Sequence, residues 1–317
     1  MSELASPARN HRSVKALLGS LGVAPRKWRG QSFLVSPRAA ARIVQAARLT
    51  REDAVLEIGP GLGALTEEIL RWAGRLVAIE CDARLSSWLR RRFGGADQFE
   101  LIEKDALKID LRELAQRMGE GRRTVKVVST IPYSISGPLI GKLLEAREAL
   151  ALVVLTVQKE LAGRITASPG GKDYGAFTIF CRYHADVKKV FTIPPSAFYP
   201  RPNVVSTVVV FTPRARPPVS VIDGEAFLSM VRLLFSHRRK AIRTALRRAL
   251  RDPGGDEELA GIFSAARINP LSRAEQLGME ELASLCNNLC AVERFHRELK
   301  FYLKGGSHHE EHEDKVG

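Results

Sequence analysis

Ala54-Val55-Leu56-Glu57-Ile58-Gly59-Pro60-Gly61-Leu62-Gly63 is the stretch whose reading decides the fold. Its apolar half, Ala54 to Ile58, reads as a short strand, and the amphipathic segment from Leu65 to Trp72 reads as a helix. Between them, glycines at 59, 61 and 63 permit a tight turn and close approach of the backbone to a ligand. The spacing is G-x-G-x-G, not the dinucleotide G-x-G-x-x-G, and an acid, Glu57, precedes it. A lone glycine turn can be purely structural, so its neighbours decide.

Outward from the turn, strand and helix signals alternate. Strands are expected at Leu76–Ile79, Phe99–Glu103, Val125–Ser129 and Leu152–Val157. Helices are expected at Val14–Leu21, Pro37–Ala47, Arg84–Phe93, Pro138–Leu144 and Gln158–Thr166. Short apolar strands alternating with amphipathic helices indicate a parallel sheet covered on both faces. Phe177–Tyr183 and Val204–Phe211 read as two further strands, separated by the proline-stiffened stretch Ile193 to Pro202. Pro213 to Pro218 reads as a linker. Helical patterns follow at Gly224–Phe235, Arg238–Leu250, Glu257–Phe263 and Met279–Cys290. The expected organisation is a loose tail over 1–12, an α/β domain over 13–213, a helical domain over 219–304 and a disordered tail over 305–317.

Lys and Arg outnumber Asp and Glu by 49 to 35, a formal charge of +14, which predicts attraction to a polyanion, nucleic acid first. No segment reads as a signal peptide, and the longest apolar run, Ala149 to Val157, is too short to span a bilayer. Cys81, Cys181, Cys286 and Cys290 form no metal pattern; a reduced, cytoplasmic, monomeric protein without membrane attachment, disulfides or a metal is expected. His308, His309 and His312 read as part of a solvated tail.

The neighbouring strand tips strengthen the ligand reading. Leu76 to Ile79 ends at Glu80, whose carboxylate can accept both hydroxyls of a ribose. Phe99 to Glu103 leads to Asp105, which can reach an adenine amino group. Glycines, Glu80 and Asp105 on consecutive tips fit an adenosine pocket. Thr130-Ile131-Pro132-Tyr133 closes the next strand in the shape of the [N/D/S]-x-P-[Y/F] tetrapeptide, which holds an exocyclic amine beside a methyl donor. Such an amine is a poor nucleophile because its lone pair is delocalised; accepting hydrogen bonds from its N–H groups favours the pyramidal form that attacks. A target base in helical nucleic acid must be unstacked to reach such a pocket. The combination points to an S-adenosylmethionine enzyme acting on a nucleobase.

From about residue 14 to 290 the chain resembles the ribosomal RNA adenine N6-dimethyltransferases, in the small-subunit branch that includes the kasugamycin-sensitivity enzymes. Gly30-Gln31-Ser32-Phe33-Leu34 is similar to the family's G-Q-N-F-L segment, Glu80-Cys81-Asp82 to its E-x-D, Asp105-Ala106 to its D-A, and Thr130 to Tyr133 to its N-[LI]-P-Y. Pro194 to Phe198 matches its P-P-S-A-F loop, while Phe235 to Lys240 and Arg273 to Leu277 resemble its F-x-x-R-R-K and R-x-E-x-L segments. The resemblance implies an α/β fold: a Rossmann-like S-adenosylmethionine methyltransferase domain with a smaller C-terminal all-helical domain. It implies methylation of adenine N6 in small-subunit ribosomal RNA, with two adjacent adenines dimethylated during ribosome assembly.

Gln31, Ser32, Leu34, Gly59, Gly61, Glu80, Asp105 and Thr130 would then hold the cofactor. Thr130 would orient the amine, with Tyr133 and Phe198 clamping the base. Arg239, Arg243 and Arg247 on one face of a helix beginning near Arg238, with Lys240 and Arg251 flanking, would together with Arg238 meet phosphates, and Pro25 to Arg29 adds a second basic patch. The chain departs from the family at Thr130 (usually Asn), Ser129 (usually Gly) and Ser32 (usually Asn). A threonine hydroxyl reaches less far than an amide oxygen, and its β-branch restricts it. One weakened hydrogen bond to the amine costs about 1–3 kcal/mol, roughly ten- to a hundredfold in rate. An RNA-binding assembly factor with weakened or lost methyl transfer therefore stays open, as does a macrolide-resistance type methylase of large-subunit RNA.

Overall fold

The computed structural model describes residues 11–25, 31–121, 124–250 and 256–303. The expected tails up to residue 10 and from 305, with its histidines, lie outside these residues, as do Arg26 to Gly30 and Arg251. His11 and Arg12, assigned above to the loose tail, instead open helix α1 (His11–Ser20).

Two units form. The first takes the chain as far as Thr166 together with His184–Arg216, and the second takes Ala167–Tyr183 together with the chain from Pro217 onward. In the first unit α1 leads to the short strand β1 (Phe33–Leu34) and helix α2 (Pro37–Ala47). Ser36 caps α2 by accepting from Ala39 N, Pro37 supplies a preset first turn, and left-handed Arg48 ends the helix. Then alternate β2 (Asp53–Ile58), α3 (Ala64–Leu70), β3 (Arg75–Glu80), α4 (Ala83–Phe93), β4 (Phe99–Glu103), α5 (Leu111–Met118), β5 (Thr124–Thr130), α6 (Ser136–Glu145), β6 (Leu152–Gln158) and α7 (Lys159–Ile165). Strands β7 (Ala185–Ile193), β8 (Phe198–Tyr199) and β9 (Ser206–Pro213) complete it.

Seven strands make one sheet in the order β4-β3-β2-β5-β6-β9-β7. The first five run parallel, whereas β9 is antiparallel to both β6 and β7, so the expected parallel sheet is a mixed one. After β4 the chain crosses back to place β5 on the other side of β2, and this reversal opens a crevice at the strand C-termini. Valines 55, 128, 154 and 208 pack with Ile43, Val44 and Ala47 of α2 over one face. Each buried aliphatic side chain of this kind contributes about 1.5–3 kcal/mol. Separately, β1 pairs with β8, setting Leu34 opposite Phe198.

The second unit is helical: α8 (Ala176–His184), α9 (Gly224–Ser236), α10 (Ile242–Ala249), α11 (Asp256–Ala266), α12 (Met279–Cys290) and α13 (Glu293–Leu303). Phe177–Tyr183, expected as a strand, lies within α8, and β7 follows it. Ile179 and Tyr183, four residues apart on one helix face, bury into this core beside Phe227 and Met230, and that packing overrides the β-propensity of the aromatic run. Residues 167–183, placed above in the 13–213 domain, therefore group with the helical unit. Helix α10 starts at Ile242, not Arg238, because Ala241 bridges Arg273 while the N–H groups of Ile242 and Arg243 donate to Ser272 and Pro270. Helices α5 and α13 were not anticipated. Cys286 and Cys290 are buried one turn apart on α12. Among the described residues no helix is long and apolar enough to cross a membrane.

Candidate cofactor pocket and reactive segment

A cleft with about 890 Å³ of empty space, part of it open to solvent, lies at the ends of β2, β3 and β5. Gln31, Ser32, Leu34, Gly59, Gly61, Glu80, Asp105 and Thr130 all line it. The turn after β2 has φ of +70° at Gly59, +59° at Gly61 and +85° at Gly63, conformations that a Cβ penalises. Gly61 also sits against Phe33, whose Cδ1 would lie 2.9 Å from an added Cβ.

Three backbone N–H groups fix the Glu80 carboxylate: Gly61 N at 3.2 Å, Cys81 N at 2.9 Å and Asp82 N at 3.0 Å. Burial nonetheless raises its pKa above the ordinary carboxylate value. Glu57 is 1% exposed and accepts from Thr66 Oγ1 at 2.7 Å. Burial raises its pKa from 4.5 to about 8, and the adjacent Glu80 adds to the rise. At neutral pH Glu57 is therefore mostly a neutral acid. Asp105 accepts from Leu107 N at 2.9 Å, capping a short 3-10 turn. Lys142 on α6 pins the same turn by donating to Leu107 O and Ile109 O at 2.7 and 2.8 Å. No local sequence signal marks that lysine, because its partners lie in a distant segment.

The backbone pairing of β2 with β5 ends at Leu56 and Val127, and beyond it the two strand ends are tied by Ile58 N donating to Ser129 Oγ at 2.7 Å. Next to that tie, Thr130 Oγ1 is buried and has no hydrogen-bond partner. A buried orphan hydroxyl on a cleft wall is costly unless something binds it. Tyr133 is half-buried and lies outside the cleft lining; its hydroxyl meets Ser206 Oγ at 2.7 Å, a link between distant segments that no local sequence pattern marks. Ser32 Oγ donates to Pro200 O at 2.5 Å, so it ties the proline-rich loop to the cleft wall.

Phe198 differs from expectation. Its side chain is 1% exposed and packs with Leu34, Ile43 and Val208, because the β1–β8 pairing turns the ring into the core. As placed, it offers no face to a base.

In the helical unit Arg239, Lys240 and Arg247 are exposed and Arg243 is half-buried. Arg238 departs from the phosphate-facing set. Its Nε donates to Glu275 Oε2 at 2.5 Å and its NH2 to Lys172 O at 2.6 Å, so it ties the turn before α10 to neighbouring segments.

The sheet order, the crevice at the strand reversal, and the acids held at its rim are those of Rossmann-like methyltransferases that use S-adenosylmethionine. The donor set suits that cationic adenosine compound: fixed carboxylates, a turn of left-handed glycines, and an unpartnered hydroxyl beside them. More narrowly, residues 24–289 match the family model for ribosomal RNA adenine dimethylase, and the chain belongs to that family. It is 42% identical over 294 residues to the ribosomal RNA small subunit methyltransferase A of Moorella thermoacetica, covering 91% of this chain and 99% of the relative. It is 40% identical over 274 residues to the protein of the same name from Magnetococcus marinus, covering 86% of this chain and 95% of the relative. Among solved structures it is similar to a dimethyladenosine transferase from Plasmodium falciparum, with TM-score 0.68, 25% identity, and 84% of this chain and 98% of that one covered. It is also similar to the 23S rRNA methyltransferase ErmE, with TM-score 0.60, 25% identity, and 81% and 98% covered.

Proposed function

We propose that this protein, acting as a monomer, methylates N6 of adenines in small-subunit ribosomal RNA and dimethylates two adjacent adenines during ribosome assembly. Within a chain of this family, the observation that carries the reading is the buried, unpartnered Thr130 hydroxyl on the cleft wall. Bound S-adenosylmethionine supplies an electrophilic methyl group. Gly59 and Gly61 let the backbone approach it, Glu80 accepts from its ribose, Asp105 meets its adenine, and Gln31, Ser32 and Leu34 close the flank. Thr130 accepts a hydrogen bond from the target amine and favours its pyramidal form. Tyr133, anchored through Ser206, offers a ring for the base, and Phe198 backs the wall from within the core. The methylated nitrogen then releases its proton to water, so the site needs no strong base.

The relatives at 42% and 40% identity are named for the small subunit, and the ErmE likeness is weaker, which favours small-subunit RNA over large-subunit RNA as the substrate. Thr130 itself favours one second reading, an assembly factor with weakened transfer. Transfer of labelled methyl to undermodified small subunits, with nucleoside analysis, separates the two. Dimethyladenine is expected from the natural protein, with a rate roughly ten- to a hundredfold higher in Thr130→Asn. RNA binding without any transfer would overturn the enzymatic reading.

Arg239, Lys240, Arg243 and Arg247 face phosphates in this proposal, and Arg238 serves the fold. Replacing Arg239 and Lys240 together by alanine is expected to lower the slope of log affinity against log salt by about 1.4–1.8. Arg238→Ala should chiefly lower the unfolding temperature, since it strands Glu275. Equal salt slopes for the parent and the double variant would remove those two side chains from the interface.

A further inference from the structure

We propose that Thr156 is a positioning residue for methyl transfer: its hydroxyl takes the hydrogen of the Thr130 hydroxyl, so that the Thr130 oxygen turns a lone pair toward the substrate amine. The inference rests on the reading of Thr130 given above.

An asparagine oxygen is an acceptor only, whereas a threonine hydroxyl carries a hydrogen of its own. If that hydrogen pointed at the amine, it would oppose the N–H groups it has to attract. Thr130 can work as an acceptor only when its hydrogen is directed elsewhere. Strand pairing supplies the place: in parallel β5 and β6, Thr130 is the register partner of Thr156. Register partners project to the same face of a sheet, on strands about 4.8 Å apart. Two hydroxyls so placed can meet directly after a change of rotamer about the Cα–Cβ bonds, or through one water.

Thr156 is 0% exposed, and its Oγ1, like that of Thr130, is buried without a partner. Its neighbours along and across the strands include Val154, Val157 and Val208, which offer a hydroxyl nothing. Valine would fill the same space at position 156 without an orphaned oxygen, so the fold has no use for this hydroxyl. Strand β6 is paired on both sides, with β5 and with β9, so position 156 is held rigidly beside the reactive strand end. Thr207 provides an internal contrast. Its Oγ1 is also buried and unpartnered, but Thr156 pairs with Val208, so Thr207 faces the other side of the sheet.

The test is steady-state methyl transfer to undermodified small subunits, run beside thermal unfolding. Thr156→Val is expected to lower kcat about tenfold with the KM for S-adenosylmethionine unchanged and the unfolding temperature equal or higher. Thr156→Ser should recover the parental kcat, and Thr207→Val should match the parent. Adding Thr156→Val to Thr130→Asn should leave the Thr130→Asn rate as it is, because the amide oxygen has no hydrogen to redirect. An unchanged kcat in Thr156→Val, an equal loss in the Thr130→Asn background, or a fall of several degrees in unfolding temperature would each overturn the inference alone. Absence of transfer by the parent would overturn the functional reading, and the inference with it.

Discussion

A Gly63→Ala variant is expected to lose about 2–5 kcal/mol of stability and, with it, the shape of the glycine turn after β2. Two penalties combine at this position. With φ at +85°, an L side chain costs about 1–2 kcal/mol. An added Cβ would also lie 2.4 Å from Phe93 Cε2 and 3.3 Å from Leu89 Cδ2, and both rows of atoms belong to the buried face of α4. Overpacking a core contact of this kind costs about 1–3 kcal/mol. Gly59→Ala separates the two penalties. It shares the positive φ of +70°, but its Cβ would meet nothing nearer than Pro132 Cδ at 3.5 Å. Urea unfolding should therefore show Gly59→Ala losing only the backbone share, about 1–2 kcal/mol. Equal midpoints for the two variants would mean that Phe93 yields freely.

Glu57→Gln should change how stability depends on pH. The pKa of Glu57 is raised from 4.5 in the unfolded chain to about 8 in the folded one, so between those values the folded protein holds a proton that the unfolded one has lost. Its contribution is fully present below about 4.5, declines as the pH rises through about 8, and is constant above that. Glutamine does not titrate, and its amide oxygen can still accept from the Thr66 hydroxyl. The variant should therefore gain on the parent steadily from pH 5 to pH 8.5, with the gap in unfolding temperature widening by several degrees. Glu80, also raised by burial, remains in both proteins, but it is coupled to Glu57, so the change in the gap reports the pair of carboxyls and not Glu57 alone. A gap that stays constant with pH would show that Glu57 is ionised in the folded state throughout that range.

The parts of this protein legible in the sequence are those written in local period and local turn chemistry. Alternation of short apolar runs with amphipathic segments located β2 to β6 and the helix over Pro37–Ala47. The glycine turn and the acids at 80 and 105 stand at strand ends, so Gly59, Gly61, Glu80 and Asp105 are legible from position along the chain, whereas Gln31, Ser32 and Leu34 follow only from the family resemblance. Aromatic runs were harder to read. Phe177 to Tyr183 satisfies both a strand and a helix, and only the apolar core waiting for Ile179 and Tyr183 selects the helix.

By itself, then, the sequence determined the α/β order, the glycine turn, the Thr130–Tyr133 tetrapeptide and the excess of positive charge, because each depends on residues close together in the chain or on composition alone. Only the tertiary structure decided that Phe198 faces the core, that Arg238 is engaged with Glu275, that Ser129 ties β5 to β2, and that Thr130 stands opposite Thr156. Each of those depends on which distant segment a residue is brought against. Register and burial settle that choice when the sheet and the helical core assemble, and no local pattern encodes them.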